Sequence, residues 1–127
     1  MLVQGGLSLA KILICDDSAF MRMMLRRVLE ENGHEVVGEA GDGEQAVQLY
    51  NEYSPDLVTM DITMPKMDGI EAVRNIHSNN SSARIVMVTA IGQQSIITAA
   101  IEAGAADFIV KPFDPVQVIA TISKVLQ

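Results

Sequence analysis

What this 127-residue chain lacks narrows its chemistry first. It has a single cysteine, Cys15, so no internal disulfide can form and no Cys-x-x-Cys pair exists for zinc or redox work. Such cysteine usage suits a reducing compartment, and a cytoplasmic location is expected. Tryptophan is absent and aromatics make up only 4%, so the core must rest on Ile, Val, Leu, Met and Ala. No window approaches the roughly 20 apolar residues of a membrane span. Positive charge is scarce: 9 Lys and Arg stand against 16 Asp and Glu, a net charge of -7. That balance repels nucleic acid and anionic lipid, so neither is expected as a partner. Arg22, Arg26 and Arg27, on one predicted helix, read as a solvated face beside Glu30 and Glu31. The two histidines, His34 and His77, lie away from the strand ends, which argues against imidazole-bound zinc. Residues 1–10 carry neither a basic start nor a long apolar stretch, so they are no secretory signal; they read as a disordered lead-in or an expression remnant. Residues 11–127 then form one domain of ordinary size.

What is present is a fivefold alternation of strand and helix. Apolar, β-rich runs predict strands at 11–15, 35–39, 56–60, 84–88 and 106–110. Phe20, Met24, Leu25, Val28 and Leu29 recur at helical spacing over 18–32, before an Asn32-Gly33 stop, and predict a buried face that includes Met24. Asp42-x-x-Gln45 and Asp68-x-x-Glu71 read as capping boxes, and Asp114-Pro115 opens the final helix. A further helix over 95–103 closes at Gly104. Strands apolar along most of their length are covered on both faces, which favours a parallel sheet between helical layers. The expected class is α/β, a flavodoxin-like doubly wound sheet of five strands in the order 2-1-3-4-5 with five helices. Pattern alone does not settle that order. In it, strands one and three are neighbours at a switch point where ligands bind.

The strand ends carry Asp16-Asp17, Glu39, Asp61, Thr89 and Lys111 in turn. Taken singly, each aspartate is most often a turn or capping residue, and a lysine before proline is often mere surface. Their conjunction is different. Carboxylates gathered at one sheet edge repel unless a cation joins them, and an all-oxygen set suits a hard ion, with Mg2+ the abundant candidate. A carboxylate beside such an ion can act as a nucleophile toward phosphorus. The product would need an ammonium and a hydroxyl near its oxygens; Lys111 and Thr89 could supply them, with Ala90 leaving room.

Four segments in order, Ile14-Cys-Asp-Asp-Ser18, Met60-Asp61 with Met64-Pro-Lys-Met-Asp-Gly69, Thr89-Ala90, and Phe108-Ile-Val-Lys-Pro-Phe113, carry a family likeness. From about Lys11 to the end the chain resembles the response-regulator receiver domains of two-component signalling, and among them the free-standing chemotaxis regulators. The resemblance implies that Asp61 accepts a phosphoryl group from a sensor histidine kinase. It implies that Asp17, Asp61 and the carbonyl of Thr63 hold Mg2+ directly, with Asp16 acting through water. Thr89 would move to bond the phosphoryl group and Lys111 would pair with it. Phe108 holds the aromatic switch position, altering the surface of helix four, strand five and helix five, although it also reads as a plain packing residue. The Lys111-Pro112 bond is expected to be cis. The output would be binding to a downstream effector protein, the flagellar motor switch being the first guess, which makes the domain a monomeric switch more than an enzyme. Thr63 and Ile91 fall at positions that tune dephosphorylation, and bulky Ile91 is expected to slow it. Met64 and Met67 are expected at the mouth of the site, and Cys15 buried and inert.

Three other readings stand beside this one. A receiver domain cut from a larger transcriptional or enzymatic regulator would look much the same, although the acidic charge argues against direct DNA contact. A flavodoxin-like cofactor binder is disfavoured by Asp16-Asp17, which would repel a flavin phosphate. A metal-dependent phosphatase lacks a visible general acid.

Overall fold

The computed structural model describes residues 9–90 and 93–127. Ten elements alternate: β1 (Lys11–Cys15), α1 (Ala19–Glu31), β2 (Glu35–Ala40), α2 (Gly43–Tyr53), β3 (Leu57–Asp61), α3 (Gly69–Asn79), β4 (Ile85–Ala90), α4 (Gln94–Ala103), β5 (Asp107–Lys111) and α5 (Pro115–Leu126). The strands form one parallel sheet in the order β2-β1-β3-β4-β5, as expected. Alternate residues of each strand feed opposite layers. Ile12 and Ile14 of β1 join Leu25, Val28 and Leu29 of α1 and Val118 and Ile122 of α5 on one face. Leu13 and Cys15 join residues of α2, α3 and α4 on the other. β3, central and covered on both sides, is buried throughout.

Side-chain caps set where most helices start. Ser18 Oγ accepts the Met21 N–H, and Asp42, Asp68 and Asp114 accept from Gln45, Glu71 and Val116. Each such cap is worth about 1 kcal/mol. The return half of the first box differs from expectation: Gln45 Oε1 bonds the Gly41 N–H at 2.8 Å, one residue before the cap. Ile91, with its expected effect on dephosphorylation, lies outside the described residues.

Several boundaries move. β4 runs on through Thr89 and Ala90 because pairing with Val110 and Lys111 continues. Asp56 lies before β3, since its carboxylate accepts the Lys11 N–H at 2.8 Å. Ala10, placed by sequence in the lead-in, is buried, its N–H donating to His34 Nδ1 at 3.0 Å. The apolar stripe of α1 is a correction too. Only Leu25, Val28 and Leu29 are buried, whereas Phe20 is 62% exposed and Met24 also reaches solvent. Phe20, Met21 and Met24, on the first turns of α1, line a shallow groove together with Pro112 and Phe113. Among the described residues no helix is long and apolar enough to cross a membrane.

Candidate functional site

β1 and β3 are adjacent with Cys15 opposite Met60, so Asp16, just past β1, and Asp61, the last residue of β3, come side by side at the sheet edge. One carboxylate oxygen from each of Asp16, Asp17 and Asp61 lies within 4.8 Å of the others. Asp16 and Asp61 are buried and Asp17 is exposed, so the cluster opens to solvent on one side. Lys111, the last residue of β5, reaches the same spot: its Nζ stands 2.9 Å from Asp16 Oδ2 and 3.4 Å from Asp61 Oδ2. The Lys111-Pro112 peptide is cis, as expected.

Asp16 is tightly held. Its Oδ1 accepts the Ser18 N–H at 2.8 Å, its own N–H donates to Ala40 O at 3.0 Å, and Arg22 Nη1 donates to its carbonyl at 2.6 Å. Asp61 is held less completely, with Oδ1 accepting the Ile62 N–H at 2.8 Å. Burial, and after it the charge of Asp16, push the Asp61 carboxyl above its ordinary range despite Lys111 and the Ile62 amide. Burial draws the Lys111 ammonium down, but its hydrogen bond to Asp16 and the charge of Asp61 outweigh that and hold it protonated. Three carboxylates facing one ammonium leave the cluster short of positive charge. An all-oxygen set with that deficit fits Mg2+.

The loop after Asp61 is seated from below. The Gly69 N–H donates to Ile62 O at 2.7 Å, and a β-carbon at Gly43, the first residue of α2, would overlap the Met67 carbonyl. Lys66, at φ +69°, lies 3.8 Å from the cap carboxylate Asp42. Thr63 is exposed in this loop two residues beyond Asp61. Met64 turns into the core instead of lining the mouth, and Met67 is partly buried against the same cluster.

Thr89 is buried at the end of β4, and its hydroxyl donates to Gln93 Oε1 at 3.1 Å. Phe108 sits on β5 opposite Met87 and is 37% exposed. Glu39 takes no part in the acidic cluster. Arg22 and Arg26 reach over β2 to it at 3.0 and 2.7 Å. Burial raises its carboxyl, but the bonds to Arg26 and Arg22 hold it lower. Arg22 and Arg26 therefore cross-link α1 to β2, while Arg26 also keeps the expected pairing with Glu30 at 2.9 Å and Arg27 stays exposed. Burial, then Asp16, push the Cys15 thiol up, so it stays a thiol.

Sequence reasoning missed Arg22 and Gln93 as parts of this site. Arg22 had a signal: it lies one turn past the Ser18 cap, from where a long side chain can turn back over the strand end. Gln93 had none, because its partners come from β4 and the β3–α3 loop.

The profile of the response regulator receiver domain matches residues 12–123. The chain is 59% identical over 116 residues to the chemotaxis protein CheY of Bacillus subtilis, covering 91% of this chain and 97% of that protein. It is 51% identical over 115 residues to the chemotaxis protein CheY of Thermotoga maritima, covering 91% and 96%. Among solved structures, the CheX-CheY-BeF3-Mg+2 complex from Borrelia burgdorferi matches with a TM-score of 0.88 at 38% identity, over 92% of this chain and 89% of that one.

Proposed function

The chain belongs to the response regulator receiver domains, and on that footing we propose that it is a free-standing chemotaxis regulator phosphorylated on Asp61. As a receiver domain it is a phosphorylation-activated switch of a two-component system, with a histidine kinase as phosphodonor and an effector downstream. The reading takes residues 11–127 as that domain, acting as a cytoplasmic monomer. The observation that carries the Asp61 assignment is the convergence of Asp16, Asp17 and Asp61 around the Lys111 ammonium.

In the reaction, an Asp61 oxygen attacks phosphorus as the bond to the donor imidazole nitrogen breaks, leaving an acyl phosphate on Asp61 and histidine on the kinase. Lys111, already 3.4 Å from Asp61, pairs with the added phosphoryl oxygens. Asp17, Asp61 and the Thr63 carbonyl would hold Mg2+, with Asp16 acting through water, and the bound ion would neutralise the phosphoryl charge. Thr89 donates its hydroxyl to the phosphoryl group, and Phe108 follows it, changing the surface of α4, β5 and α5. Ile101 and Phe108 are exposed apolar residues on those elements, which suits binding of an effector protein. By likeness to the CheY relatives, that effector is the flagellar motor switch. The output is a change in binding, so the domain acts as a switch and its self-catalysed phosphoryl transfer and dephosphorylation serve that end.

Acetyl phosphate with Mg2+, followed by intact mass, tests the reading. One added phosphate is expected in the wild type and none in Asp61→Asn. Asp17→Asn should weaken Mg2+ binding, and Lys111→Ala should allow modification while blunting the response. Phosphate retained by Asp61→Asn would refute the assignment.

A further inference from the structure

Thr89 has one hydroxyl proton, and among the described residues both acceptors within its reach lie outside the acidic cluster: Gln93 Oε1 at 3.1 Å and Ala90 O at 3.3 Å. The same Gln93 oxygen accepts the Ala90 N–H at 2.9 Å, and Gln93 Nε2 donates to Thr63 Oγ1 at 3.4 Å. One primary amide therefore ties the end of β4 to the loop that follows Asp61. Gln93 is also the N-cap residue of α4, yet its side chain makes no bond to its own helix. The caps of α1, α2, α3 and α5 spend a serine or aspartate oxygen on their own first turn. At α4 the amide is committed sideways, to the threonine and the loop.

We propose that Gln93 is a positioning residue that latches the Thr89 hydroxyl away from Asp61 in the resting domain. The inference rests on the receiver reading above and concerns regulation of that same site. A phosphoryl group on Asp61 offers new acceptor oxygens, but Thr89 has only one proton to give. Donating it to the phosphoryl group breaks its bond to Gln93. The latch therefore opposes activation by the worth of that bond, and its release frees the start of α4 from β4. A residue in place of Gln93 that fills the space without an acceptor leaves Thr89, among the described residues, only the Ala90 carbonyl to abandon. Affinity for a phosphoryl group should then rise.

The test is calorimetric titration with beryllium trifluoride, a tetrahedral phosphoryl mimic, at saturating Mg2+. It compares the wild-type chain, Gln93→Met, Thr89→Ala and the double variant. Gln93→Met should bind the mimic roughly two- to tenfold more tightly, the worth of one neutral hydrogen bond. In the Thr89→Ala background the same substitution should change nothing, because no hydroxyl remains to be latched. Titration with Mg2+ alone, made in both backgrounds, measures what the lost bond to Thr63 does to the metal site, so that the gain for the mimic is read apart from it. Unchanged or weaker binding by Gln93→Met, an equal gain without the Thr89 hydroxyl, or a gain for the mimic no larger than the change in Mg2+ affinity would each overturn the latch. A wild-type chain that failed to bind the mimic at all would overturn the receiver reading beneath it.

Discussion

A β-carbon on Gly69 would overlap the backbone carbonyl oxygen of Asp61. The first residue of α3 therefore lies directly beneath the residue assigned as phosphoacceptor, and its N–H holds Ile62 O at 2.7 Å. The obstacle is backbone and cannot rotate aside. Gly69→Ala should lower stability by about 1–3 kcal/mol through overpacking. Gly41→Ala is the control, since a β-carbon there meets only the tips of Arg22 and Gln45 at 3.6 and 3.9 Å. Urea denaturation should show a clear drop for the first and a change under about 0.5 kcal/mol for the second.

Asp61 is expected to reduce the stability of the fold that carries it. Its folded carboxyl titrates above the ordinary range, because of burial first and the neighbouring Asp16 second. A group shifted that way stabilises the fold below its unfolded pKa, and the contribution is lost as pH rises through the folded value. At neutral pH the charge is a liability. Asp61→Asn should therefore raise stability in the absence of metal, read as a higher melting temperature at pH 7. Adding Mg2+ should reverse the order, since an ion at 100 times its Kd contributes about 2.7 kcal/mol to the chain that binds it. If Mg2+ raised both melting temperatures equally, Asp61 would not be a ligand.

The elements and their succession along the chain were legible because hydrophobic period and capping residues are local signals: Ser18, Asp42, Asp68 and Asp114 each mark a helix start in the chain itself. The acidic cluster was legible because strand ends on a parallel sheet converge whatever the loops do. The position of Phe20 and Met24 was not. Helical spacing shows that a stripe exists, but whether its first turns are covered depends on the neighbouring elements, and there Phe20 and Met24 stay exposed. Glu39 shows in sequence only as a strand-end residue, and becomes a partner for Arg22 and Arg26 when α1 is laid against β2. The amide of Gln93 belongs with these, since the groups it joins are far from it in sequence or carry no pattern.

Thr59 sits at the centre of β3, fully buried, and its Oγ1 has no hydrogen-bond partner among the described residues. Valine has nearly the same shape and nothing to satisfy. Thr59→Val should stabilise the domain by about 1 kcal/mol, the lower end of the penalty for a buried unpaired group. The measurement is the urea midpoint at unchanged slope. A fall in stability would mean that the hydroxyl is paired in solution.

His34 gives the domain a pH dependence at the edge opposite the acidic cluster. Its Nδ1 accepts the Ala10 N–H at 3.0 Å, so the ring proton sits on Nε2 and a second proton could enter at Nδ1 only by breaking that bond. Burial lowers its pKa below the ordinary 6.5. The unfolded chain then binds the proton more readily than the folded one, and stability rises with pH across the interval between the two values. The contribution is fully present above about 6.5 and is lost as pH falls toward the folded value, with a slope of at most about 1.4 kcal/mol per pH unit. His34→Asn offers an amide oxygen to the Ala10 N–H and no titration in this range. The difference in unfolding free energy between wild type and His34→Asn, taken from pH 7.5 to 5, should be flat at first and then turn against the wild type. A difference that stayed constant to pH 5 would show that the ring takes up its proton equally in both states.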